Sequence, residues 1–134
     1  MSVASSQSQK IFSYPRKTIE RAERALACSP FHFCLFEEML SHRVALGEII
    51  GKKGVEKGFT KRSLSELSAD NDLVWLIQVG VLRREVDGQG ITDSFRLTPL
   101  GRQLVEQCYQ KSWRTPSWSD RLYNATIRWL RLPF

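Results

Sequence analysis

The chain has 134 residues, 42% of them hydrophobic, which suffices for one domain with a real core. No apolar run approaches the ~20 residues a membrane-spanning helix needs, so no transmembrane helix is expected. The net charge of +6 permits binding to nucleic acid or to an anionic surface without requiring either.

The N-terminal stretch, MSVASSQSQK, lacks the apolar core of a signal peptide. Residues 1–14 read as a disordered Ser/Gln-rich tail, and a cytoplasmic location is expected. A first helix is predicted near residues 16–28, with Ile19, Ala22, Ala25 and Leu26 as its apolar stripe. Ser29-Pro30 reads as the N-cap and first position of a second helix, roughly 30–42. That helix carries Phe31, Phe33, Leu35, Phe36, Met39 and Leu40, which assigns it to the centre of the core. Val44–Leu46 reads as a very short strand and Gly47–Lys53 as a short helix.

The three cysteines are Cys28, Cys34 and Cys108, an odd number without C-x-x-C spacing, so a disulfide framework is not expected. Cys28, His32, Cys34 and His42 lie close in sequence. Pro30 interrupts them, however, and the paired spacing of zinc ligands is missing. Packing as free thiols is the simpler expectation, with no metal and no cofactor.

Gly51, Gly54 and Gly58 punctuate a basic stretch, GKKGVEKGFTKR. It is not a P-loop, because no Gly-Lys-Ser/Thr follows an apolar strand. Ser63-Leu64-Ser65-Glu66 has the form of a capping box, with Ser63 as N-cap. One kinked helix or two short ones should follow over 63–80, with Leu73, Trp75, Leu76, Ile77 and Val79 buried and Gly80 at the C-terminal turn. Leu82–Val86 and Ser94–Thr98 read as antiparallel strands joined through Asp87-Gly88 and Gly90, with Leu82 and Val86 on one apolar face. Thr98-Pro99 then caps a helix over Pro99–Gln110.

The fold class expected is mainly α with a small β-hairpin (α+β). The run VGVLRREVDGQGITDSFRLTPLGRQLVE resembles the closing part of winged helix-turn-helix domains of bacterial regulators, through Leu76, Gly80, Val81, Leu82, Leu97, Thr98 and Gly101. The whole chain also resembles a small uncharacterised cyanobacterial family, which brings no activity with it. The winged-helix resemblance implies a domain over 15–110, flanked by extra N- and C-terminal helices, whose helix ending at Gly80 enters the DNA major groove. Lys52, Lys53, Lys57, Lys61 and Arg62 would then grip the backbone, Asn71 would face a base, and Arg83, Arg84 and Arg96 would reach phosphates from the wing strands. Against this stand Asp70 and Asp72 near the start of that helix, and Asp87 and Asp93 in a wing tip without Lys or Arg.

Residues 111–134 form a separate basic amphipathic helical extension, capped at Ser117 or Ser119 and running to about Leu132. Leu122, Ala125, Thr126, Trp129 and Leu130 cluster on one side. With Trp118, the residues Leu122, Trp129 and Leu130 are the expected contacts to the chain's own domain, a second copy in a homodimer or a partner protein. The helix is short, and unassisted binding to a membrane surface is not expected. No catalytic constellation is present: neither His lies near a nucleophile, and Glu37 and Glu38 are adjacent and diverge on a helix. The leading expectation is a double-stranded DNA-binding transcriptional regulator that is not an enzyme. The alternative is a protein-protein adaptor without DNA binding, docking through the C-terminal helix.

Overall fold

The computed structural model describes residues 14–107 and 118–130. Residues 1–13 of the expected N-terminal tail, Cys108, the end of the 99–110 helix and the residues flanking the C-terminal helix lie outside the described residues, whereas Tyr14, assigned to the tail, packs partly buried against the core. So do the side chains of Asp87, Trp118 and Leu130. The fold is α+β. Helices α1 (Arg16–Cys28) and α2 (Phe33–Glu38) precede a two-residue strand β1 (Val44–Ala45), a 3-10 turn (Leu46–Glu48) and helices α3 (Gly51–Glu56) and α4 (Glu66–Gln78). Strands β2 (Leu82–Asp87) and β3 (Gly90–Leu97) follow, then α5 (Pro99–Gln107) and α6 (Trp118–Leu130). The sheet is antiparallel in the order β1-β3-β2, with Val44 opposite Phe95 and Leu82 opposite Leu97.

One core joins these layers. Ala22, Ala25 and Leu26 of α1, Leu35 and Phe36 of α2, Leu73 and Leu76 of α4, Phe95 of β3 and Val105 of α5 are all buried in one cluster. Helix α1 earns its place through the predicted stripe, with Ile19 partly buried at its edge.

Several boundaries differ from the sequence reading. The second helix starts at Phe33, not Pro30, and ends at Glu38. Ser29 closes α1 instead, its hydroxyl donating to the Leu26 carbonyl at 2.8 Å. Residues 30–32 are drawn into pairing with 59–61: Phe31 bridges Thr60, the His32 amide donates to Phe59 O at 2.9 Å, and Lys61 N donates to Pro30 O at 2.9 Å. This tertiary pairing outweighs the local Ser-Pro helix signal. The short helix runs over Gly51–Glu56 rather than 47–53, behind the 3-10 turn. The fourth helix is a single one, capped by Ser65 and not Ser63, since Ser65 Oγ accepts from Ser68 N at 3.1 Å. Leu64 is buried and its carbonyl is taken by Gly51 N at 2.8 Å, which holds residues 63–64 outside the helix.

In β2, Leu82 is 1% exposed and Val86 61%, against their predicted common face. The register shifts between Arg84 and Val86, so alternation that is sound in each half does not carry across. Strand β3 is also longer than predicted, beginning at Gly90.

The closing stretch is held by a latch at Thr98. Its hydroxyl donates to Gly80 O and Val81 O and accepts from Gly101 N at 3.0 Å, while its own amide donates to Val81 O at 3.0 Å. Gly80 sits at φ +92°, where a side chain is strained. A Cβ on Gly101 would lie 2.1 Å from the Val81 carbonyl oxygen. Gly101→Ala is therefore expected to cost about 2 kcal/mol through overpacking. Gly47→Ala, where a Cβ meets nothing within 4 Å, should stay within about 0.5 kcal/mol. Chemical denaturation of the two variants checks this, and equal stabilities would contradict the latch.

Candidate nucleic-acid interface

The predicted phosphate grippers divide into two groups with different surroundings. Lys52 and Lys53 open α3, and Lys61 and Arg62 lie in the loop before α4; all four are exposed. The Gly51 N to Leu64 O bond fastens the start of α3 beside the segment that leads into α4. It thereby gathers Lys52, Lys53, Lys61 and Arg62 at one corner, and none of the four has an ion pair among the described residues. Asn71 is exposed on α4, as are Leu67 and Gln78, which form an uncharged outward stripe beside the exposed Glu66 of the first turn.

Lys57 does not join the corner as a free cation. Its Nζ donates to Glu48 Oε1 at 2.7 Å and lies 5.7 Å from the Phe59 ring centroid. Glu48 also accepts from the Ala45 amide at 3.2 Å. The Lys57 hydrogen bond first, then the Ala45 amide, hold the Glu48 carboxyl below its ordinary value despite partial burial.

The wing-strand arginines are engaged within the domain. Arg84 meets Asp70 at 3.0 Å and Asp93 at 3.8 Å, and its guanidinium lies 5.0 Å from the Phe95 ring centroid. Arg96 and Arg83 flank Glu85 at 3.5 and 3.9 Å. Asp72, the other acid expected to repel phosphate, pairs with Arg128 of α6 at 2.8 Å. Between the first turns of α4 and the hairpin lies an open groove of about 530 Å³, lined by Leu46, Glu66, Leu67, Asp70, Arg84 and Asp93. Three carboxylates face one guanidinium there, so the groove repels a phosphate backbone.

Residues 12–128 match the Npun_F0494-like family. The chain belongs to that family. No curated protein and no solved structure matches it.

Helix α6 packs on α1 and reaches α4, but not by the expected face. Ile127 is 1% exposed, Asn124 Oδ1 accepts from Trp75 Nε1 at 3.1 Å, and the Arg24 guanidinium stacks 4.1 Å from the Tyr123 ring centroid. Leu122, Ala125, Thr126 and Trp129 point away from the domain. The Trp75–Asn124 and Asp72–Arg128 contacts join residues about fifty positions apart, and no local pattern announces them. Among the described residues no three His, Cys, Asp or Glu side chains form a group that could hold a metal ion. Cys34 is exposed, with its Sγ 3.8 Å from the Lys57 carbonyl oxygen.

The Glu48–Lys57 pair has a pH signature. Its carboxyl titrates lower in the folded chain than the ordinary 4.5, so it stabilises the fold above that value and the contribution is lost as pH falls through the folded pKa. Glu48→Gln should cost about 0.5 kcal/mol at neutral pH for so exposed a pair. The gap to the parent protein should close as acid is added; a gap that widens on acidification would refute the assignment.

Proposed function

We propose that this protein is a winged-helix DNA-binding regulator that grips duplex phosphates through the corner formed by Lys52, Lys53, Lys61 and Arg62. The element order supports the winged-helix part: two helices before a short edge strand and two after it, then a hairpin and a closing helix. One observation carries the DNA part. The Gly51–Leu64 bond assembles four exposed cations at the approach to α4, none of them in an ion pair among the described residues, and only Lys53 also feels the nearby Glu48 carboxylate.

The same reading removes Arg83, Arg84 and Arg96 from the grip, since Glu85, Asp70 and Asp93 already balance them. Sequence readout is correspondingly modest. Asn71 has the chemistry to pair with adenine, but Glu66 in the first turn of α4 opposes close approach of a phosphate. The grip is therefore mainly electrostatic, with DNA shape and one or two polar contacts adding selectivity. The adaptor reading draws on a separate observation, the exposed Leu122 and Trp129 of α6.

Binding to mixed-sequence duplex across a salt series tests the proposal. Four phosphate contacts predict a loss of roughly 100-fold in affinity between 50 and 200 mM salt. Replacing Lys52, Lys53, Lys61 and Arg62 by Ala should flatten that dependence and weaken all sequences alike, whereas Arg84→Ala should act mainly on stability. Absence of binding at 50 mM salt would overturn the DNA reading and favour the adaptor.

A further inference from the structure

Among the described residues the outer face of α6 is exposed, and its chemistry is specific. Leu122 is 53% and Trp129 83% exposed; with Ala125 and Thr126 they fall at i, i+3, i+4 and i+7 and so share one side of the helix. The opposite side is fully employed by Ile127, Asn124 and Arg128. The helix is thus held by one face and offers the other. Within residues 109–134, Lys111, Arg114, Arg121, Arg128 and Arg131 outnumber the single acid, Asp120, giving the segment +4. Exposed Arg121 borders the apolar side.

We propose that this face docks on an anionic lipid surface, with α6 lying in the plane of the interface. A cationic helix that presents Trp and Leu outward suits the boundary between headgroups and acyl chains. No described helix is long and apolar enough to cross a bilayer, and the 13 residues of α6 fit a helix lying on the surface. A second copy fits worse. An antiparallel pair would set the edge bearing Arg121 against the same edge of its twin, cation facing cation. DNA offers no apolar phase for Leu122 and Trp129. An anionic bilayer meets both requirements, taking the two apolar side chains below its headgroups and balancing Arg121 at their edge. The anchoring area is small, so docking is reversible and salt-sensitive.

Flotation of the full chain with vesicles tests this. Vesicles of equal parts phosphatidylglycerol and phosphatidylcholine should carry the protein at low salt. Binding should fall at least about tenfold on pure phosphatidylcholine or in about 0.5 M salt, as screening removes the electrostatic part. The pair Leu122→Glu and Trp129→Glu should abolish flotation while leaving the melting temperature and duplex DNA binding unchanged, because both side chains are already in solvent. Trp129→Phe should retain flotation. Three results would overturn the proposal: no flotation with anionic vesicles, equal flotation of the double Glu variant, or loss of flotation only when Lys52, Lys53, Lys61 and Arg62 are replaced. A sedimenting dimer that the Glu substitutions dissolve, without lipid binding, would assign the face to a second copy instead.

Discussion

The Thr98 hydroxyl is the interaction on which the rest of the architecture turns. It joins the end of α4, the start of β2 and the first turn of α5 through a single side chain. Without it the Gly80 carbonyl and the Gly101 amide would each need another partner, a cost of about 1–3 kcal/mol per buried group left unmade, while Val81 O would keep only the Thr98 amide. The latch fixes where α4 stops, and hence which residues of α4 face outward. It also fixes the angle at which the hairpin leaves, because Gly101 lets the backbone of α5 come within contact of Val81. The close approach explains the glycine at 101, and the positive φ the one at 80.

A second constraint is internal charge balance. The basic total of the chain overstates the charge offered to a partner at the hairpin. Arg84 is consumed by Asp70 and Asp93, Arg83 and Arg96 by Glu85, Arg128 by Asp72 and Lys57 by Glu48. These are partly exposed pairs, each contributing little stability on its own. Their larger effect is on the electrostatic surface, where they cancel cations that sequence reading counts as free. Among the described residues, Lys52, Lys61 and Arg62 at the approach to α4 stay without an ion pair, as do Arg16, Lys17 and Arg43 elsewhere on the surface.

The acids at 70 and 72 show how the meaning of a residue depends on its neighbours. Taken alone, they oppose a phosphate on the helix that would meet DNA. Folded, each holds an arginine from a different element: Asp70 braces the hairpin against α4, and Asp72 anchors α6. The same carboxylates that reduce affinity for a polyanion tie the hairpin and the last helix to the domain.

Local chemistry was legible wherever it acts over a few residues. The apolar stripe of α1, the glycine at the end of α4, the hairpin turn and the Thr-Pro start of α5 follow from capping, φ preference and periodicity within short windows. The α+β class and the order of elements from Leu73 to Val105 were therefore readable in the chain itself. Tertiary structure decided what depends on contacts distant in sequence. Pairing with residues 59–61 moved the start of α2, the Gly51–Leu64 bond moved the cap of α4, and the bulge sent Val86 into solvent. It also chose the face of α6. Periodicity identified Leu122 and Trp129 as an apolar stripe but carried no information on which side has a complementary surface. Asn124 and Arg128 meet Trp75 and Asp72 only because α4 is already in position to receive them, and with Ile127 buried in the core they seat the helix and leave the larger apolar side chains outside.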